Sequence, residues 1–184
     1  MSLLSCTFRI ASACVIAWLA DAGTKWWALN HDQASIITIV PGLFYALVPP
    51  LTNPGGGYLL SGVGVPGALM GVIRYATLVV PIVLSIASLG WMYWVERNTP
   101  KLTLSEQLGF GMLLGGTFSN IADRLAHGSV VDFLHMPFCD LFLFNVADVT
   151  IALGLFLVGA DALRLQRLTK FLGMLIKQAP ATEA

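Results

Sequence analysis

Two aspartates stand apart from the other charged residues because nothing near them in sequence can neutralise them. Asp132 lies in the extended apolar stretch Val130-Val131-Asp132-Phe133-Leu134, and Asp148 in Phe144-Asn145-Val146-Ala147-Asp148. A carboxyl in apolar surroundings resists ionisation, and two that face each other share one proton rather than both ionising. Such a pair can take a proton from a water molecule with one member and give a proton to a leaving amine with the other, which is amide hydrolysis by paired carboxylates. The plainer alternative for either residue is a buried aspartate bonded to backbone N–H groups.

Further polar residues cluster by spacing. Asp21 and Lys25 are four apart, so a helix puts them on one face as a pair that either orients that helix or serves a site. Asn120, Asp123 and Arg124 are three and four apart, and Asp123 next to Arg124 reads as a charge-compensated structural node. Other chemistries lack parts. His31, His127 and His135 have no metal-ligand spacing, so no metal is expected, and no serine stands in a nucleophile elbow. Gly55-Gly56-Gly57 lacks the Lys and Ser/Thr of a phosphate loop. Cys6, Cys14 and Cys139 read as small hydrophobes.

The elements that position these residues must lie in a membrane. Of 184 residues, 57% are apolar and 11% charged, with mean hydropathy +0.78, whereas soluble domains carry about 25% charged residues. Ten basic residues balance ten acidic ones, which gives no basic excess for nucleic acid. At about 20 residues per crossing, four segments reach spanning length, roughly 8–29, 75–95, 104–122 and 141–163. Arg9 with the apolar run 10–20 reads as the start of the first span rather than a cleaved leader, because apolar sequence resumes after Asp21 and Lys25. Trp91, Tyr93 and Trp94 form an expected aromatic belt at the end of the second span, and Gly109, Gly111, Gly115 and Gly116 mark the third as the close-packed, central one.

With both termini on one side, that side holds seven basic residues (Arg9, Arg97, Lys101, Arg164, Arg167, Lys170, Lys177) against three opposite (Lys25, Arg74, Arg124), which predicts cytoplasmic termini. The outer segment 30–74 holds eight glycines and five prolines within 41–71, so short strands and turns resting on the outer membrane face are expected there. The basic tail 164–184 is expected to lie along the inner leaflet. The predicted fold class is an all-α membrane protein, one domain over 1–184, with four transmembrane helices and a small extracytoplasmic strand and loop element.

On this topology Asp21, Lys25, Asn53, Asn120, Asp123, Arg124, Asp132, Asn145 and Asp148 form one layer near the outer face, while Glu106 and Asp161 sit near helix ends within reach of water. A four-span transporter or channel subunit with an Asp proton relay would need polar residues at several depths. A non-enzymatic anchoring protein would tolerate loss of both aspartates.

Five blocks now resemble a known family in order and spacing: Asp21-Ala22-Gly23-Thr24-Lys25, Asn53-Pro54-Gly55-Gly56, Gly115 through Asn120 to Asp123-Arg124, Gly128-Ser129-Val130-Val131-Asp132-Phe133, and Phe144-Asn145-Val146-Ala147-Asp148. They resemble the bacterial lipoprotein signal peptidases (signal peptidase II). The resemblance implies an inner-membrane aspartic endopeptidase without metal or cofactor. It would act as a monomer in the lipid bilayer on diacylglyceryl-modified prolipoproteins, cutting before the lipidated cysteine. It implies Asp132 and Asp148 as the catalytic dyad. Asn53, Asn120, Arg124 and Asn145 would line the site, and Asp21, Lys25, Asp123 and Ala147 would support it. Departures from the usual pattern are Ala22 for Gln, Ser119 for Gly, and Asn53-Pro54-Gly55-Gly56-Gly57-Tyr58 for Asn-Thr-Gly-Ala-Ala-Phe, which bear on how the outer segment closes over substrate.

Overall fold

A computed structural model describes residues 3–31, 35–55, 67–98, 102–138, 143–162 and 173. In chain order the elements are α1 (Leu3–Leu29), β1 (Ser35–Val40), β2 (Phe44–Asn53), α2 (Gly67–Asn98), α3 (Leu104–His127), β3 (Val130–His135), β4 (Leu143–Phe144) and α4 (Val146–Ala162). Cys139, residues 56–58 of the outer loop and the basic residues of the tail lie outside the described residues.

The strands form one antiparallel sheet in the order β1-β2-β3-β4, so the chain is helical with a small sheet rather than all-α. The strands expected in the outer segment are there, and β3 and β4 join them from a distant part of the chain. Leu51 pairs with Asp132 and Asn53 with Val130, while the β2–β3 register shifts between Ala46 and Leu51. Pro49 and Pro50 lie in that interval and have no N–H to give to the ladder. Ala28 of α1 packs with Ala46, Val48, Phe133 and Leu134, which seats the sheet on the end of the first helix.

α3 is the central helix. Thr103 caps its start, with Glu106 completing a reciprocal capping box, and Gly128 ends it in the left-handed region at φ 71°. Its glycines let two neighbours reach its backbone. A Cβ on Gly115 would lie 2.3 Å from the Cys14 carbonyl oxygen of α1, and one on Gly116 would lie 2.5 Å from the Ala147 carbonyl oxygen of α4. Without a hydrophobic force between helices in lipid, such close van der Waals contact is what joins them.

Element bounds differ from the expected spans. α3 runs on to His127 and α2 begins at Gly67, while the fourth span of 141–163 is replaced by a short strand and a helix that starts only at Val146. The strand forms because Leu143 and Phe144 pair with β3. Ser5–Leu29 and Gly71–Val95 are long and apolar enough to cross a membrane. α4 is apolar and exposes Leu153, Leu155 and Phe156, but has only 17 described residues, about 26 Å of helix; α3 is the interior, less apolar helix and buries Glu106, Gln107 and Asn120.

The aromatic belt needs correction. Trp91 and Trp94 stack at 5.3 Å and turn inward onto a cluster of Cys6, Val95, Leu102 and Phe110, while Tyr93 stays exposed beneath Arg97. Glu106 and Asp161 are buried rather than wet. Thr103 donates its hydroxyl to Asp161 and its backbone N–H to Glu106, so both serve to cap and close this end of the bundle.

Gly115→Ala is expected to lower thermal stability in detergent by about 1–3 kcal/mol, because the Cβ meets backbone that cannot give. Gly90→Ala, in α2 with nothing within 4 Å of the new Cβ, is expected to be neutral or stabilising by up to about 1 kcal/mol. Paired melting curves decide, and equal Tm values would show that the α1–α3 contact is not tight.

Candidate active site

The sheet and the start of α4 bring the two aspartates to one side chain. Asp132, 2% exposed on β3, and Asp148, in the first turn of α4, both bond Asn145, the residue preceding that helix. Asn145 Nδ2 donates to Asp132 Oδ1 at 2.8 Å, and the Asn145 backbone N–H donates to Asp148 Oδ2 at 3.2 Å. Asn145 Oδ1 accepts from the Asp148 backbone N–H at 3.0 Å. Asn145 and Asp148 thus form a reciprocal cap, which fixes the helix start and the carboxylate together.

Two more asparagines complete the clamp. Asn53, at the end of β2, donates Nδ2 to Asp132 Oδ2 at 2.9 Å, and Asn120 of α3 donates Nδ2 to Asp148 Oδ1 at 2.8 Å. Each of the four carboxylate oxygens therefore accepts an amide hydrogen bond. Burial pushes the Asp132 carboxyl up to about 6, and the charge of Asp148 adds to this, against the Asn53 and Asn145 hydrogen bonds and the charge of Lys25.

Beneath this pair lies an ion cluster. Lys25, 4% exposed, reaches Asp21 Oδ2 at 2.5 Å, Asp123 Oδ2 at 2.7 Å and Asn120 Oδ1 at 3.2 Å. The expected Asp21–Lys25 pair is present. Asp123, however, pairs with Lys25 and not with Arg124, because the helix turns Arg124 toward its own Asn120 carbonyl, where Nη1 donates at 3.2 Å. The other Asp21 oxygen accepts the Ala147 backbone N–H at 2.7 Å, so Ala147 matters through its main chain.

Ser119, one of the departures, donates its hydroxyl to Asp21 Oδ2 at 2.6 Å, a bond glycine could not make. Its signal in the sequence was only the substitution itself. The absence of a local cation at the two aspartates is also offset by the fold, since Lys25 acts on Asp132, and Arg124 lies within electrostatic range of Asp123, Asp132 and Asp148. Arg124 Nε is buried without a hydrogen-bond partner among the described residues.

A cavity of about 430 Å³ opens beside Asp148, lined by Asn120 and Arg124 on α3, Ile151 on α4, and Ile73, Ala76, Thr77, Val80 and Pro81 on α2. One wall is thus polar and the other a bilayer-type apolar helix. The arrangement can hold an extended chain beside the Asp148 carboxylate while its flanking apolar parts stay among helices.

Comparison with known proteins agrees with the blocks in the sequence. Residues 13–164 match the family model described as Signal peptidase (SPase) II. The lipoprotein signal peptidase of Thermosynechococcus vestitus is 36% identical over 144 residues, covering 76% of this chain and 82% of that protein. That of Rhodopseudomonas palustris (strain TIE-1) is 30% identical over 163 residues, covering 82% and 92%. A bacterial membrane enzyme solved by the in meso method at 1.9 Å shares the fold, with TM-score 0.63 and 21% identity over 85% of this chain and 94% of that one. A family match over most of the chain, in a fold shared with a membrane enzyme, establishes that this chain belongs to the signal peptidase II family, the lipoprotein signal peptidases.

Proposed function

We propose that this chain is an intramembrane aspartic endopeptidase that removes the signal peptide of diacylglyceryl-modified prolipoproteins, cutting before the lipidated cysteine, with Asp132 and Asp148 activating a water molecule. The observation that carries this reading is the clamp: two carboxylates from different elements, β3 and α4, each with both oxygens held by amides, joined through Asn145. Family membership supports prolipoproteins as substrates.

The electrostatics fit a shared proton. Four carboxylates (Asp21, Asp123, Asp132, Asp148) stand near two cations (Lys25, Arg124), and the raised Asp132 favours one proton held between the pair. The ionised member takes a proton from water as its oxygen attacks the peptide carbonyl, and the protonated member gives its proton to the departing nitrogen. Asn53, Asn120 and Asn145 fix both carboxylates beforehand, so little reorganisation is needed. Arg124, beside the cavity with an unbonded Nε–H, is suited to hold substrate backbone. Asp21, Lys25, Asp123 and the Ala147 N–H hold the ends of α1, α3 and α4 in register behind it.

The cavity between α2 and the α3–α4 pair gives a signal peptide a route from the bilayer side to Asp148. In this reading four helices span the inner membrane, the termini are cytoplasmic, the sheet rests on the outer face, and one domain acts as a monomer. The proton-relay alternative is not favoured by the placement of charged residues along α3 among the described residues. The Glu106–Asp161 group and the clamp are separated along α3 by Phe110, Leu113 and Leu114 with their flanking glycines.

Asp132→Asn and Asp148→Asn are each expected to reduce cleavage of a diacylglyceryl-modified prolipoprotein by about 10³-fold or more, followed by gel shift with purified protein; wild-type turnover by either variant would end the dyad assignment. Because the folded Asp132 titrates near 6, above its unfolded value of about 3.9, its stabilising contribution is present below pH 4 and is lost as pH rises through 6. Asp132→Asn removes the buried charge at pH 7 but sets its own NH2 group against the Asn53 or Asn145 donor, so its stability there is expected to stay within about 3 kcal/mol of wild type although it is inactive; a larger loss, read as a fall in Tm, would mark a structural role. The pH–rate profile is expected to be bell-shaped, with its alkaline limb at or above about 6, since bound substrate displaces water from the site. For topology, a cysteine placed at position 57 is expected to label from outside and one at position 99 not to, and the reverse would invert the orientation.

A further inference from the structure

The three asparagines of the clamp all present their NH2 groups to a carboxylate, and in each the orientation is set from behind. A group that can only donate fixes the amide oxygen, which leaves the NH2 for the carboxylate. Lys25 Nζ does this for Asn120, and the Asp148 backbone N–H does it for Asn145. For Asn53 the donor is the backbone N–H of Gly55, 3.0 Å from Asn53 Oδ1, a residue outside the clamp itself. Turned over, Asn53 would set its oxygen against Asp132 Oδ2, now 2.9 Å from Nδ2, and its NH2 against the Gly55 N–H.

Local chain chemistry makes this turn rigid. Asn53 ends β2, where its backbone pairs with Val130, and a following proline restricts it to the extended region that a strand already requires. Pro54 has its own φ fixed at about −65° and no N–H to compete for Asn53 Oδ1. Gly55 then takes φ 107°, a region that L side chains rarely enter, and it is buried there. A side chain at this position would be relieved by rotating the Pro54–Gly55 peptide, which swings the N–H away from Asn53. Pro54 is exposed, so it acts on the freedom of the chain more than on packing.

We propose that the turn Asn53-Pro54-Gly55 is a positioning device for the carboxylate pair, with Gly55 acting through the Asn53 amide on Asp132. The proposal rests on the peptidase reading above and deepens it. An amide donor stabilises the ionised carboxylate, and the Asn53 bond opposes the effect of burial on Asp132, so a released Asn53 leaves Asp132 holding its proton to higher pH. The other groups near Asp132 are untouched by the turn. They are Lys25 of α1 with its partner Asp21, Asp123 and Arg124 of α3, and Asp148 of α4, while β2 carries no charged residue.

The test follows prolipoprotein cleavage against pH for wild type, Gly55→Ala, Pro54→Ala, Asn53→Ala and the variant carrying both Asn53→Ala and Gly55→Ala. The Asp132 carboxyl is titrated in parallel by carbon NMR of aspartate-labelled protein, its signal assigned by loss in Asp132→Asn. Gly55→Ala is expected to lower kcat by about tenfold or more at unchanged KM, and to move both limbs of the pH–rate profile and the Asp132 midpoint up by about one pH unit. Asn53→Ala is expected to do the same, and the double variant no more than Asn53→Ala alone, since both changes remove one bond. Pro54→Ala keeps the N–H and only frees the chain, so kcat is expected to fall about two- to fivefold with a smaller shift in the same direction; this variant carries the test should Gly55→Ala show no cooperative melt. Additive losses in the double variant, or limbs and midpoint unmoved in Asn53→Ala, in Gly55→Ala or, where that variant does not fold, in Pro54→Ala, would each overturn the proposal. A wild type that does not cleave would refute the peptidase reading, while the NMR midpoint would still report on the turn. Cleavage that depends on Asp132, with a midpoint indifferent to Gly55, would refute the turn alone.

Discussion

Lys25 is the point on which the rest of the site depends. An ammonium buried at 4% exposure is tolerable only with partners, and it has carboxylates from two helices, Asp21 on its own and Asp123 on α3. Removing one partner of such a buried pair leaves an uncompensated charge, which costs far more than the pair contributes while intact. The cluster therefore acts as a lock on geometry. Asp21 spends its second oxygen on the Ala147 N–H and so ties the start of α4 to α1. Asn120 accepts from Lys25 and from Asn145 with one atom and donates to Asp148 with the other, which joins the ion cluster to the clamp above it.

The lock works because the helices approach closely enough for short side chains to meet. Asp, Asn and Ser reach only a few ångströms, and the bonds among Asp21, Ser119, Asn120, Asn145 and Asp148 span three helices. The glycines of α3 supply that approach on two faces at once, Gly111 and Gly115 toward α1, Gly109 and Gly116 toward α4. α2 is different. It meets the bundle through Trp91, Trp94 and Val95 near one end, while Ile73 to Pro81 stand off across a cavity. Three helices packed to contact and a fourth held at one end leave the α2 cavity open beside Asp148.

The same packing has a cost in charge. Asp132 is held where its ionised form is disfavoured, so its charge costs stability at neutral pH. A carboxylate kept against that gradient is what a site under functional constraint looks like. The cap between Asn145 and Asp148 shows the opposite economy, since one pair of side chains starts a helix and orients a carboxylate together.

The sequence by itself determined the membrane class, the helices around 8–29, 75–95 and 104–122, the central glycine-rich helix, the pairing of Asp21 with Lys25, and the family, because apolar length, small-residue spacing and the five blocks are local patterns. It singled out Asp132 and Asp148 because each lacked a neighbouring cation in the chain. Only the tertiary structure decided that Asp123 belongs to Lys25, that Trp91 and Trp94 turn inward, that β3 and β4 join the outer strands, and that Asn145 lies between the two aspartates. Those contacts, together with the Asp21–Ala147 bond, join residues up to 126 positions apart, and a side chain's partner at that separation is set by how close two backbones can come, which no periodicity along the chain records.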